Sequence, residues 1–304
     1  MNPLDRAGLR SLILLIAFAP MVVGTLATVR LATLSEQGRQ EALAELSDLD
    51  RLLAFRDFES NLMAESGFYG GWNAAFGSLE DDPGALPILI ARNAFTETLQ
   101  GATDRARLSM EGVNISTGER ALLDRFDSLL VEVREQFAAE SDSDLSDELE
   151  AIDELRSEWI ALTDAIAVGR SLDWSVIDLQ SRFSGRTSAE LSVVVTLLMS
   201  GESDESQRQQ AAVLISQTDE VFGQLLAVVT PQQRIDLEEA FDNVYTTQIR
   251  TMVASLADSF EPLSLNVLAT GADDLERFSG SGEAIRAQSA EDVRASAQAR
   301  ADNA

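Results

Sequence analysis

Apolar residues return along most of this chain at steps of three and four. Leu122, Phe126, Leu129, Val133 and Phe137 form one stripe, and Leu237, Phe241, Val244, Met252 and Leu256 form another on a single face. A period near 3.5 predicts amphipathic helices packed as a bundle. No convincing alternation of apolar and polar residues marks a strand. The run 191–199 contains Val193, Val194 and Val195, but it lies between helical patterns and stops at Gly201, so it reads as a buried helix segment.

Break signals divide the pattern into eight helices. The first runs from the N-terminal apolar segment to about residue 76. Pro83, Gly84 and Pro87 make 77–87 a loop. A second helix covers 88–111, and 112–118 is a turn. Ser116 with Glu119 matches a capping box that opens the third helix. An acidic loop, 140–146, precedes a fourth helix over 147–168 and a fifth over 172–200. A sixth spans 204–229. Thr230, Pro231 and Gln233 supply an N-cap, a first-turn proline and a residue that reaches back to the cap, which starts a seventh helix ending before Pro262. An alanine-rich eighth covers 273–302, anchored mainly by Ile285 and Val293. It reads as a return helix leading towards a further segment, as in a longer receptor. Helices of roughly 22–29 residues are about 33–44 Å long, and short loops make neighbours antiparallel. The expected fold is all-α: an elongated up-and-down bundle, two stacked four-helix modules with one N-terminal transmembrane helix.

That transmembrane expectation rests on 11–29, an uncharged stretch between Arg10 and Arg30 that holds Leu12, Ile13, Leu14, Leu15, Ile16, Phe18, Met21, Val22 and Val23. A bilayer needs about 20 such residues in a helix. Arg6 and Arg10 keep the short tail, 1–10, in the cytoplasm, and 31–304 then lies outside it. In a Gram-negative cell that side is the periplasm, and the chain sits in the inner membrane by one crossing. A cleavable signal peptide is the competing reading, but the apolar run is long for one and 25–27 is a poor cleavage box.

Composition narrows the chemistry. The chain has no Cys and no His, and all 23 of its cations are Arg. Disulfides, thiolates, the commonest metal ligand and the usual neutral-pH base are therefore missing, as is Schiff-base lysine chemistry. No cofactor, metal or catalytic residue is expected, and the chain reads as a non-enzyme. Beyond residue 30 there are 20 of the 23 Arg and 50 of the 51 Asp and Glu, a formal charge near −30 that repels nucleic acid. Asp142 and Asp144 imitate the start of a calcium loop, but Asp147 stands where Gly is needed and Asp153 where Glu is needed. Gly280 and Gly282 read as a linker. Asn114 and Ser116 fit a glycosylation triplet more simply explained as a turn.

Arginine is the remaining source of chemistry. In so acidic a helical chain, Arg is expected to pair mostly within its own helix. An Arg facing the interior needs an anion. Arg92 and Arg208 lie where polar and apolar faces meet, and Arg56 lies between Phe55 and Phe58. The segment 65–72 packs Phe68, Tyr69 and Trp72 together with Gly67, Gly70 and Gly71, which points to a kink, a close helix crossing or a ligand contact.

An N-terminal anchor followed by about 270 helical residues resembles the extracytoplasmic sensor regions of bacterial receptors. Two places are similar to the nitrate- and nitrite-sensing family. Glu202 and Arg208 keep that family's six-residue Glu-to-Arg spacing, with Gln207 in place of a second Glu. Glu65, Ser66 and Gly67 stand where its Glu-Arg-Gly motif would be, so that arginine is lost. The resemblance implies a small ligand, such as an anion, bound between helices. The expected ligand residues are Arg208, Arg92, Arg56, Glu202, Tyr69 and Trp72. The expected signal is a shift of membrane-linked helices in a homodimer. The alternative is a membrane-anchored scaffold for partner proteins, with a dry interior free of buried arginine and an exposed apolar patch.

Overall fold

The computed structural model describes residues 3–76, 86–139, 145–200, 203–243, 245–256 and 265–303. Regular structure among them is helical throughout, with no strand. The chain forms two compact units. One is Met1–Ser47 with Arg294–Ala304, and the other is Asp48–Val293.

Helix α1 spans Pro3–Phe76 without a break, as the pattern predicts. It is followed by α2 (Leu86–Ser109), a 3-10 turn (Met110–Gly112) and α3 (Thr117–Ala138). The expected capping box is present: the Ser116 side chain accepts from the Glu119 N–H, and Glu119 accepts from the Ser116 N–H. Next come α4 (Ser146–Ala167), α5 (Leu172–Ser200) and α6 (Glu205–Val228). Asp204 and Gln207 cap α6 in the same reciprocal way.

The expected seventh helix is broken. The Thr230 box opens α7 (Pro231–Phe241), but a π turn (Tyr245–Ile249) and the short α8 (Arg250–Val253) replace its second half. The single apolar face therefore does not persist. Leu237 and Phe241 join one core, Tyr245, Ile249 and Val253 join another, and Met252 is exposed. Val244 lies outside the described residues, as do 140–144 with the calcium-like Asp142 and Asp144.

The last helix, α9 (Leu265–Asn303), starts earlier than expected and absorbs the supposed linker. Gly282 lies inside this helix against α5, where a Cβ would displace the terminal amide of Gln180. Among the described residues no helix is long and apolar enough to cross a membrane. The expected crossing, 11–29, falls in the part of α1 whose side chains lie outside the described residues.

Among the described residues, three apolar cores lie in the larger unit. The main one joins α1 through α5 with Ala290 and Val293 of α9, and centres on Phe55, Phe58, Phe126 and Trp159. A second links the end of α5 with Ala211, Tyr245, Ile249 and Val253. A third joins Phe183, Phe222, Leu225, Leu237 and Ile285. Helix α5 contributes to all three. The odd glycine segment of α1 serves a close crossing with α5. A Cβ on Gly67 would lie 3.4 Å from the Ala189 Cα, and one on Gly185 would lie 3.2 Å from the Ser60 Cα. In the smaller unit Ala42 and Ala297 are buried, and Arg300 pairs with Glu45.

Candidate functional site

Polar clusters that each include a guanidinium penetrate the larger unit. In the first, Arg56 of α1 is 1% exposed. Its Nε donates to Asp178 Oδ1 at 2.8 Å, its Nη2 to Asp164 Oδ1 at 2.6 Å, and its Nη1 to Glu59. Arg182, one turn after Asp178 on α5, bonds Asp164 and lies 3.1 Å from Asp178 Oδ2. Burial opposes the Arg56 charge, but Glu59 and Asp178 more than offset it and hold the guanidinium above its ordinary range.

The second cluster centres on Glu65, which has no exposed surface. Arg134 of α3 grips it through Nε at 2.7 Å and Nη2 at 2.9 Å, and turns Nη1 to Asp104 of α2 at 2.9 Å. Such a two-point grip is among the strongest polar contacts a protein makes. The Tyr69 hydroxyl donates to Glu65 Oε1 at 2.8 Å and accepts from Gln100 Nε2 at 2.8 Å. Burial, then the Glu65 charge, pushes that hydroxyl well above the usual tyrosine range. Close by, the Arg92 guanidinium lies 4.2 Å from the Phe137 ring centre and 6.0 Å from that of Trp72, and it donates to the Phe137 carbonyl.

In the third cluster Glu190 of α5 is 1% exposed. Arg250 lies 2.8 Å from its Oε1 and donates to its Oε2 at 3.2 Å, to Asp219 at 2.9 Å and to the Ile215 carbonyl at 3.0 Å. The Tyr245 hydroxyl donates to Glu190 Oε1 at 3.0 Å. Desolvation dominates here, and the Glu190 carboxyl is pushed up despite Arg250. The π turn belongs to this cluster. It carries Tyr245 at its start and leads directly into Arg250, so both reach Glu190. Turns of this type recur at functional sites.

The structure divides the expected ligand residues. Tyr69, Trp72 and Arg92 meet around Phe137, whose ring centre is 4.5 Å from that of Tyr69. Arg56 lies 13 residues before Tyr69 on α1, about 20 Å along the axis. Arg208 is in another place again, half-buried at the start of α6. Its Nη1 donates to the Ser203 carbonyl and hydroxyl, both at 2.9 Å. Glu202 lies outside the described residues.

The expectation that arginines pair within their own helices holds for Arg39 and Arg156 and describes only part of the pairing elsewhere. Arg51, Arg56, Arg107, Arg134, Arg250 and Arg286 each bond a carboxylate on another helix. The reason is energetic: a cation near the core needs a partner that is also shielded from water. Sequence reasoning passed over Arg134, Asp164, Asp178, Glu190 and Arg250. Glu190 carried a signal, as an acid immediately before an apolar run, and Asp178 with Arg182 carried another in their i,i+4 spacing. Arg134 and Asp104 carried none, being distant in sequence from Glu65.

Between α3 and α4 a shallow groove of about 480 Å³ is lined by residues including Arg125, Ser128, Glu154 and Leu155. Among the described residues no group of three or more acids is arranged as metal ligands. No protein-family model, curated protein or solved structure matches the chain.

Proposed function

We propose that the chain is a membrane-anchored sensor domain, a two-module helical bundle that binds a small ligand between helices. The bundle lies outside the cytoplasm on one N-terminal crossing, works as a homodimer, and passes its signal through the membrane-linked helix. The observation that carries this reading is the continuity of α1. One helix runs from the apolar N-terminal stretch into the Arg56 and Glu65 clusters. A ligand that favours one arrangement of those clusters therefore acts on the same rod that enters the membrane. A shift of a few kcal/mol between two arrangements suffices for a signal.

The scaffold alternative expects a dry interior without buried arginine. Arg56 and Arg250 are both buried, which favours a polar, adjustable interior over a passive support. Thermal unfolding of the full chain in detergent, screened against nitrate, acetate, sulfate and the common amino acids, tests the ligand claim. At least one compound is expected to raise the melting temperature in a saturable way. A flat response to the whole panel would contradict the sensor reading.

A further inference from the structure

Arg186 differs from Arg56, Arg134 and Arg250, each of which bonds a carboxylate. It lies on α5, half-buried, and its Nη1 donates to Gln217 Oε1 on α6. No carboxylate approaches within 4.0 Å of it among the described residues. Burial, then Arg156 of α4, pushes its guanidinium below the ordinary range. Arg182 adds to this, while Glu59 and Asp153 pull the other way without restoring it.

The neighbourhood is even in charge, with Arg56, Arg156, Arg182 and Arg186 against Glu59, Asp153, Asp164 and Asp178. The acids, however, are committed to other partners. Glu59 serves Arg56, Asp164 and Asp178 each serve both Arg56 and Arg182, and Asp153 serves Arg156. Arg156 is itself only partly satisfied, since its Nε is buried without a partner. A half-buried cation held near another cation gains from an anion that joins them.

We propose that Arg186, with Arg156 beside it and the Gln217 amide as a further donor, forms the binding site for a small carboxylate or oxyanion. A planar pair of oxygens suits the guanidinium fork. The site lies between α4, α5 and α6, where bound charge would tie α6 to the helix that crosses α1 at Gly67 and Gly185. The assignment rests on the ligand-binding reading above and names the site and the ligand class for it.

The test measures melting temperature of the full chain at fixed ionic strength while chloride is replaced by acetate, nitrate or sulfate. Acetate reports a carboxylate site, and the other two report an oxyanion site. At least one replacement is expected to give a saturable rise of several degrees. Arg186→Gln should abolish that rise, Arg186→Lys should weaken it, and Arg120→Gln, at an exposed arginine of α3, should leave it intact. Without added anion, Arg186→Gln should melt at or above the wild-type temperature, because it relieves repulsion. Three results would overturn the proposal: a full shift surviving in Arg186→Gln, a large loss of stability in that variant without anion, or wild-type protein indifferent to all three anions. A response to amino acids with a surviving shift in Arg186→Gln would leave the sensor reading standing and remove only this site.

Discussion

Arg56 collects carboxylates from α1, α4 and α5 in an interior lined by Phe55, Phe58 and Trp159. The chain thus supplies the anion that a buried arginine requires, which removes the main reason for expecting an external one at Arg56. The same logic singles out Arg186, which has no carboxylate within 4.0 Å among the described residues. Glu119 shows the other sign of this chemistry. Burial raises the cost of its charge, but Arg51 and the Ser116 backbone and hydroxyl outweigh that and hold the carboxyl below its ordinary value of 4.5. The stability this supplies is fully present above the unfolded value and is lost as pH falls through the lower folded value. Glu119→Gln should lower the urea midpoint at neutral pH and flatten the loss of stability as pH falls below 4.5. An acid limb identical to wild type would show that Glu119 contributes nothing there.

Helix α5 decides much at the scale of elements, because it meets α1 at contacts too close for ordinary side chains. A Cβ on Gly185 would lie 3.2 Å from the Ser60 Cα, so an added methyl requires the backbone of α1 to yield by a few tenths of an ångström. Gly185→Ala should destabilise by about 1–3 kcal/mol, the usual cost of overpacking, despite its better helix propensity. Gly223 of α6 is exposed and has nothing within 4 Å, so Gly223→Ala should instead stabilise by about 0.5–1 kcal/mol. Chemical denaturation of both variants checks the opposite signs. Helix starts were legible in the sequence because caps are local. Ser116 with Glu119 and Thr230 with Gln233 need only three residues of context. The π turn was not legible, since the contacts that accompany it, from Tyr245 and Arg250 to Glu190, are made to another helix. Gly282 was misread for the same reason: the residue it makes room for, Gln180, is 102 positions away.

For the whole molecule, the all-helical architecture followed from apolar spacing, while the interior chemistry did not. Pairs such as Glu65 with Arg134 and Asp57 with Arg286 join residues far apart in the chain, and spacing carries no trace of them. Of the ligand residues expected from sequence, Tyr69, Trp72 and Arg92 converge, whereas Arg56 and Arg208 stand elsewhere. The sensor account requires that ligand binding among these helices be felt by α1 near the membrane. Cysteine is absent from the chain, so a single introduced thiol reports without background. Leu34, 55% exposed on α1, is a suitable position. The most direct measurement is the rate at which Leu34→Cys forms a disulfide-linked dimer in native membranes, with and without a saturating anion from the thermal screen. The account predicts that the dimer forms and that the rate changes at least twofold on adding the anion. A thiol that never cross-links, or does so at one rate whether or not the anion is bound, would contradict it.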